Sequence, residues 1–503
     1  MHYALRILAG ATTLCAAAAA AGIQPTIHPT SVCQSIARKI SSHSEVFYSG
    51  SPNYVAAMSH FDSASSQQAA CAVEAGTPVD VGFTLRTVGS SCVPFAVKGG
   101  GHATNPGFSS TTGVHISLAR FNTTTYDASY PNTANGAVTI GAGLTWGQVY
   151  TVLDPLGVIV VGGRDHSVGV AGFVLGGGYG YHSNQYGLAA DTVLSFELVL
   201  PNGTVRNITE KSDADLFWAL KGGGNNFGIV TSFVVRAFPQ GQVWGGSVVQ
   251  APGQQEAVGA ALDQFDSVTD PRAAAVGNFI VKNASTLLTS VTLFYDGPTP
   301  PPGIFDAFLA LPTLQSTVKT RSFLDLVLGN AGLPTGYRGA SGMVAYTANT
   351  PTFINATINE VTSLGVSLAI NTSAAAVYYA LEPFQKGYMK NSTGAYPPPA
   401  ARAGSPMPMA VAFEWSDAKD DAYLRKELAD SVARLQAVAV SDQVVAGQSS
   451  VALPRYSNYA LAPTPLEEFY GAEGLARLVK IAQRVDPLRV MALAGGWKFQ
   501  THR

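Results

Sequence analysis

Three glycine clusters, and the polar residues set among them, carry most of the chemical information in this sequence. The first reads Phe95-Ala-Val-Lys-Gly-Gly-Gly-His102. A strand that runs into three glycines lets backbone N–H groups converge on a bulky anion, because no Cβ blocks the approach, and phosphate is the natural guest. The second, Val160 to Gly180, holds eight glycines in 21 residues. That density predicts close backbone approach rather than a good helix. The third reads Lys221-Gly-Gly-Gly-Asn-Asn-Phe-Gly-Ile-Val230 and leads into an apolar strand. A plain tight turn explains one such cluster as well as an anion does. Three within about 130 residues, two of them after strands, suggest one long ligand threaded through a domain, and a dinucleotide has that length. The usual nucleotide signatures are missing: there is no G-x-x-x-x-G-K-[ST] and no early strand–GxGxxG–helix with an acid about 20 residues on. No G-x-S-x-G supports a serine hydrolase. No CxxC exists and the nine His are scattered, so no zinc spacing is present.

These loops need a scaffold, and the rest of the chain describes one. Of 503 residues, 47% are hydrophobic and 12% charged, enough apolar surface to exclude intrinsic disorder. The 30 basic and 32 acidic residues nearly cancel without a basic stripe, which argues against a nucleic-acid partner. From about Ala72 to Pro239, short apolar runs (Val93 to Val97, Ala137 to Ile140, Val158 to Val161, Val193 to Leu200) alternate with glycine turns and a helix predicted over Trp146 to Leu153. Pro201-Asn202-Gly203 reads as a hairpin turn into Val205. This is an α+β pattern rather than a regular βαβ wind. From Gln240 to about Ser450 the glycine clusters disappear. Strand-like runs at Leu287 to Tyr295, Val366 to Ile370, Ala375 to Leu381 and Met409 to Trp415 alternate with longer helices. The clearest helix is Asp420 to Val438, with Leu424, Leu428, Val432 and Leu435 on one face. Glu414, between Phe413 and Trp415, takes the solvent-facing position of an alternating strand. A last segment carries Tyr456, Tyr459, Phe469 and Tyr470 and a helix over Gly474 to Arg484.

The N-terminus predicts export. Arg6 precedes an apolar stretch from Ile7 to Ala21 that ends in small residues, the pattern of a signal peptide over 1–21. No later window reaches about 18 uninterrupted apolar residues, so the mature chain is expected to be soluble, with no membrane span. Seven N-x-S/T sequons, at Asn122, Asn202, Asn207, Asn283, Asn355, Asn371 and Asn391, suit a secreted glycoprotein. With Cys15 in the signal, Cys33, Cys71 and Cys92 remain. One disulfide among the three would leave one free thiol.

Taken in order, V-K-G-G-G-H, then V-G-V-x-G-x-x-L-G-G-G-Y-G, then D-L-F-W-A-L-K-G-G-G-N-N-F-G-I-V resemble the FAD-linked oxidases of the vanillyl-alcohol-oxidase superfamily. The likeness is greatest to the fungal berberine-bridge-enzyme-like branch, whose closing segment Tyr456-Ser-Asn-Tyr459 and Val485-Asp-Pro487 also match. It runs from about Cys33 to Phe499. The resemblance implies an α+β chain: a PCMH-type FAD-binding domain of two α/β subdomains (67–239) after an N-terminal segment (22–66). A substrate domain with an antiparallel sheet covered by helices (240–450) follows, and a C-terminal segment (451–503) returns to the FAD domain.

It also implies roles. His102 would bond covalently to the flavin 8α-methyl carbon, and Gly99, Gly100 and Gly101 would cradle the pyrophosphate. Gly162, Gly163, Ser167, Gly169, Gly172 and Gly177 would line the flavin and ribityl chain, with backbone contacts from Ile229 and Val230. Val168 stands at the position resembling the family's oxygen gatekeeper. Tyr459 would serve as base or substrate anchor, or else pack as a core aromatic, and Glu382 as a base or a pocket-rim acid. Where bicovalent relatives carry a second attachment cysteine this chain has Asp165, which implies a single covalent link to FAD. Phe173 is another departure, at a position where many plant relatives carry His. The implied function is a secreted FAD-dependent oxidoreductase acting on a small-molecule alcohol or amine, with oxygen as partner and acceptor. The alternatives are an oligosaccharide oxidase and a non-redox glycoprotein that binds flavin or sugar.

Overall fold

A computed structural model describes residues 28–282, 286–329 and 336–500. The expected signal over 1–21, Cys15 and the sequon at Asn283 lie outside the described residues.

The first layer is a four-stranded sheet in the order Glu45–Phe47, Cys71–Glu74, Val114–Ser117, Phe95–Lys98. Its last three strands are mutually parallel, and the helix Pro78–Ser90 crosses over between two of them. That helix starts where the sequence says it should. Thr77 accepts from the Asp80 amide at 3.1 Å, Pro78 fills the first turn, and Asp80 adds a negative charge near the positive helix end. A Cys33–Cys71 disulfide with Cα atoms 6.1 Å apart ties the helix Pro29–Ala37 to this sheet. Cys92 is disulfide-bonded as well, so the free thiol expected of the trio is not found.

The second layer is a five-stranded antiparallel sheet: Thr124–Asp127, Ala137–Gly141, Ile229–Arg236, Val193–Val199 and Val205–Ile208. Its last two strands form the anticipated hairpin, with Gly203 at φ 81°, a left-handed turn position that glycine fills without strain.

The third is an eight-stranded antiparallel sheet built largely from Val243–Gln250, Ala273–Lys282, Thr286–Tyr295, Ala374–Leu381, Met407–Trp415 and Arg338–Tyr346. Helices cover one face, and the period of two sorts the residues. Tyr379 turns to the helix Asp421–Val445, its hydroxyl 2.9 Å from Ser431 Oγ, and Gly342 lies under Val432. Tyr378, Ala380, Ala410, Ala412, Asn278 and Ile280 alternate with these buried positions, are half-buried, and pair across neighbouring strands. This second face looks toward the glycine-rich unit, and Ser341 Oγ meets Thr104 Oγ1 there at 3.0 Å.

Three sequence expectations change. Val366 to Ile370 is not a strand but part of the helix Val366–Asn371, which continues Pro351–Asn359 through a π-helical stretch, Glu360–Gly365. A short apolar run reads equally as strand or buried helix, and here packing decides: Gly365 sits against Val281 and Val377. The run Pro351–Asn371 is long and apolar enough to cross a bilayer by length and composition, yet it lies against the sheet with Glu360 paired to Arg434 at 2.6 Å. Second, the glycine-dense Val160–Gly180 window does contain a helix, Val170–Gly176. Third, Glu414 is not solvent-facing but 4% exposed. It alternates correctly on its strand, but the face it joins is roofed by the segment around Asp62.

The C-terminal segment returns to the first unit. Ala494 bridges Phe95, Tyr470 donates to Gly222 O at 3.0 Å, and Asn226 donates to Trp497 O at 2.8 Å.

Candidate active site

The glycine clusters converge. A Cβ on Gly100 would stand 2.5 Å from Gly169 Cα, and one on Gly169 only 2.4 Å from Gly100 N. The first two clusters therefore touch backbone to backbone, which no other residue type permits. The third cluster joins them through Gly224 N–H to Leu175 O at 3.0 Å. Gly99 faces Ala142 O, and Gly162 and Gly163 face the Trp146 ring, so their missing side chains serve loop packing. Gly101, at φ 71°, backs onto Lys98, and Gly177, at φ 123°, onto Tyr396. Gly172 differs: nothing lies within 4 Å of its Cβ direction, and it is exposed on the helix Val170–Gly176, where Val170, Ala171, Val174 and Leu175 are buried. Val230 is buried in its strand, paired to Leu198.

His102 is half-buried beside this opening. Phe61 stacks on its ring at 4.0 Å and 16°, and Ser167 Oγ lies 3.3 Å from Nε2. Burial lowers the imidazole pKa, and the Asp165 carboxylate opposes that shift, so the ring is neutral and nucleophilic at neutral pH. An open cradle at Gly172, converging glycine loops and a neutral histidine at their rim fit FAD.

The loop that carries Ser167 to His102 carries Arg164 the other way. Arg164 Nη2 donates to Glu382 Oε2 at 2.5 Å and to Tyr459 Oη at 3.1 Å, and the Tyr459 hydroxyl donates to Glu382 Oε1 at 3.1 Å. All three side chains are largely buried, Glu382 at 4% exposure. Tyr459 is pushed well above its ordinary pKa, by burial first and then by the adjacent carboxylate. It stays a phenol and can pass a proton on rather than hold a negative charge. Glu382 stands just past the end of its strand, Ala374–Leu381, while Tyr459 is placed by Asn458, whose Nδ2 donates to Gly172 O at 3.1 Å. Val168, half-buried beside Gly169, accepts from Trp146 N at 3.0 Å and so ties this loop to the start of the earlier helix Trp146–Leu153.

Sequence reading of the second cluster gave Arg164 no role, although it is a lone cation in an apolar, glycine-rich stretch. The segment His60-Phe61-Asp62 was also missed, being remote in sequence and without a motif. Asp62 and Glu414 line one small cavity with Phe61 and Thr104, and each has a buried carboxylate oxygen without a partner. Burial raises both, Asp62 to about 6 and Glu414 to about 7, the latter opposed by Lys282 and reinforced by Asp62. A carboxyl whose pKa is raised on folding binds more protons in the native than in the unfolded chain, so stability falls as pH rises through that interval. Thermal melting should therefore show a loss between pH 5 and 7, on the order of 1–3 kcal/mol from Glu414. Glu414→Gln should flatten the slope, and an unchanged slope would mean the carboxyl is already ionised in the fold.

Residues 69–209 match the family model described as an FAD binding domain. Over 480 residues the chain is 32% identical to the FAD-dependent monooxygenase sdcF of Emericella nidulans, covering 90% of this chain and 95% of that relative. Over 293 residues it is 38% identical to the FAD-dependent monooxygenase drtC of Aspergillus calidoustus, and that match spans 56% of this chain and about half, 55%, of the relative's length. Among solved structures, 6-hydroxy-D-nicotine oxidase from Arthrobacter nicotinovorans superposes with a TM-score of 0.73 at 21% identity over 91% of this chain and 98% of that one, a likeness of fold. Glycine loops and relatives agree, and the chain belongs to the family of FAD-dependent oxidoreductases that includes sdcF, with the fold of 6-hydroxy-D-nicotine oxidase.

Proposed function

We propose that this chain is a secreted oxidase that removes hydride from the carbon bearing a hydroxyl or amino group of a small molecule, with FAD held through His102 alone and dioxygen as acceptor. Bound FAD supplies the hydride acceptor and passes the electron pair to oxygen, giving hydrogen peroxide. The observation that carries this reading is the Arg164–Glu382–Tyr459 cluster, built on the same loop as the flavin-side residues. Tyr459 accepts from Arg164 and donates to Glu382, leaving its oxygen placed to receive a substrate proton as its own moves to Glu382. Arg164 keeps Glu382 paired in a buried setting and restrains its rotation.

The half-buried sheet face supports a substrate with a substantial apolar body. Ala380, Ala410 and Ala412 make a shallow floor, with Ile280, Tyr378 and one amide, Asn278, beside it. An oligosaccharide would call for more hydrogen-bonding side chains than this strip offers. Asp165, in place of a second attachment cysteine, points the same way. Six sequon asparagines, at 122, 202, 207, 355, 371 and 391, are exposed, as glycosylation of a secreted chain requires.

The test is a panel of apolar alcohols and amines read by flavin bleaching without oxygen and by peroxide release with it. Val168→Ile should slow reoxidation by oxygen while leaving anaerobic reduction unchanged, because the added methylene narrows the space beside the flavin. Slow reoxidation of the native enzyme in air, unaffected by Val168→Ile, would make it a dehydrogenase.

A further inference from the structure

We propose that Asp165, Ser167 and His102 form a proton relay with which the chain attaches its own flavin. Ser167 takes the Nε2 proton of His102 as the opposite ring nitrogen bonds to the flavin 8α carbon, and Asp165 receives the Ser167 proton. This rests on the reading that His102 is the attachment residue.

The direction of the relay follows from its hydrogen bonds. Asp165 Oδ1 accepts from Ser167 Oγ at 2.7 Å and from the Ser167 amide at 2.8 Å. A carboxylate only accepts, so the serine proton points toward Asp165 and its lone pairs face the imidazole. His102 Nε2 lies 3.3 Å from that oxygen and therefore carries the ring hydrogen. Nδ1 is then the ring nitrogen without the hydrogen, which makes it the nucleophile. Phe61, parallel to the ring at 4.0 Å, holds the imidazole plane while the bond forms. A nucleophile, a group that takes its proton and an acid that orients that group is the general arrangement of an activated nucleophile, and such contacts tighten when the reacting partner arrives.

The 8α-methyl carbon loses one proton to solvent and gains the C–N bond to Nδ1, and the electron pair of the broken C–H bond passes into the isoalloxazine. The Nε2 proton leaves through Ser167 to Asp165. Dioxygen then takes up that electron pair with two protons as hydrogen peroxide, so one oxygen is consumed for each flavin attached.

The same Asp165–Ser167 contacts also close a local turn, so the decisive variant must keep the turn and lose the proton acceptor. Asp165→Asn does this, because its side-chain carbonyl still accepts from the Ser167 amide. Full-length apoprotein is mixed with FAD, and acid-stable flavin is followed by in-gel fluorescence and intact mass as a function of pH. The native chain should acquire one covalent FAD and His102→Ala none. Asp165→Asn and Ser167→Ala should bind FAD but attach it about 10²-fold more slowly or worse, and Ser167→Thr, which keeps the hydroxyl, should stay near the native rate. The Asp165→Asn rate should also climb with pH as solvent base replaces the carboxylate. Attachment by Asp165→Asn at the native rate across the pH range overturns the relay. If that variant fails to bind FAD, the Ser167→Ala and Ser167→Thr pair decides, and equal rates in the two overturn it. Native protein without acid-stable flavin removes instead the reading of His102 on which the relay rests.

Discussion

Glu382→Gln should slow anaerobic flavin reduction by roughly 10²–10⁴-fold with any substrate that reduces the native enzyme, the usual contribution of a positioned acid–base group. The substitution is nearly isosteric. The amide oxygen still accepts from Tyr459 or Arg164, so the 2.5 Å and 3.1 Å contacts can largely be re-formed. What is lost is the capacity to take a proton. Substrate affinity and reoxidation by oxygen should change little, because neither requires that proton, and stopped-flow absorbance separates the two half-reactions. Tyr459→Phe removes the intervening hydroxyl and should give a smaller loss of the same kind if water bridges the gap. A Glu382→Gln enzyme that reduces its flavin at the native rate would reassign the carboxylate to holding Arg164, with Tyr459 or substrate-bound water as the proton acceptor.

Arg164→Met should be the most destabilising single change in the site. The Arg164 side chain is 15% exposed and Glu382 5%, so their ion pair is made away from bulk water. Removing one partner leaves a buried carboxylate without its counter-charge, which typically costs about 3–5 kcal/mol, whereas replacing both partners by neutral groups is often close to neutral. The double variant Arg164→Met with Glu382→Gln should therefore recover most of the lost stability while remaining inactive. Arg164→Lys keeps the charge but cannot bridge Glu382 and Tyr459 in one plane, and should lie between. Denaturant melts of the four proteins form a complete cycle. Additive losses in the double variant would show that Arg164 and Glu382 are not energetically coupled, whatever their distance.

The sequence by itself determined the parts that depend on local covalent freedom and short-range periodicity. Three glycine loops, the helix Trp146–Leu153, the hairpin closed by Gly203 and the alternating strands Ala374–Leu381 and Met407–Trp415 follow from residues adjacent in the chain. The ordered motifs also put forward His102, Tyr459 and Glu382 as candidates, through a resemblance. Tertiary structure decided what depends on residues far apart in sequence. Val366–Asn371 became helix because it extends a helix already packed on the sheet. The glycines at 100 and 169 are required by each other, 69 positions apart, and not by a phosphate alone. Arg164 acquired its place through Glu382 and Tyr459, 218 and 295 residues away, and no local pattern encodes such a pairing. Glu414 obeyed the strand period yet is buried, because period two says which face a side chain joins and not what covers that face. Burial and charge pairing are properties of surfaces brought together, and they appear only once the chain has closed.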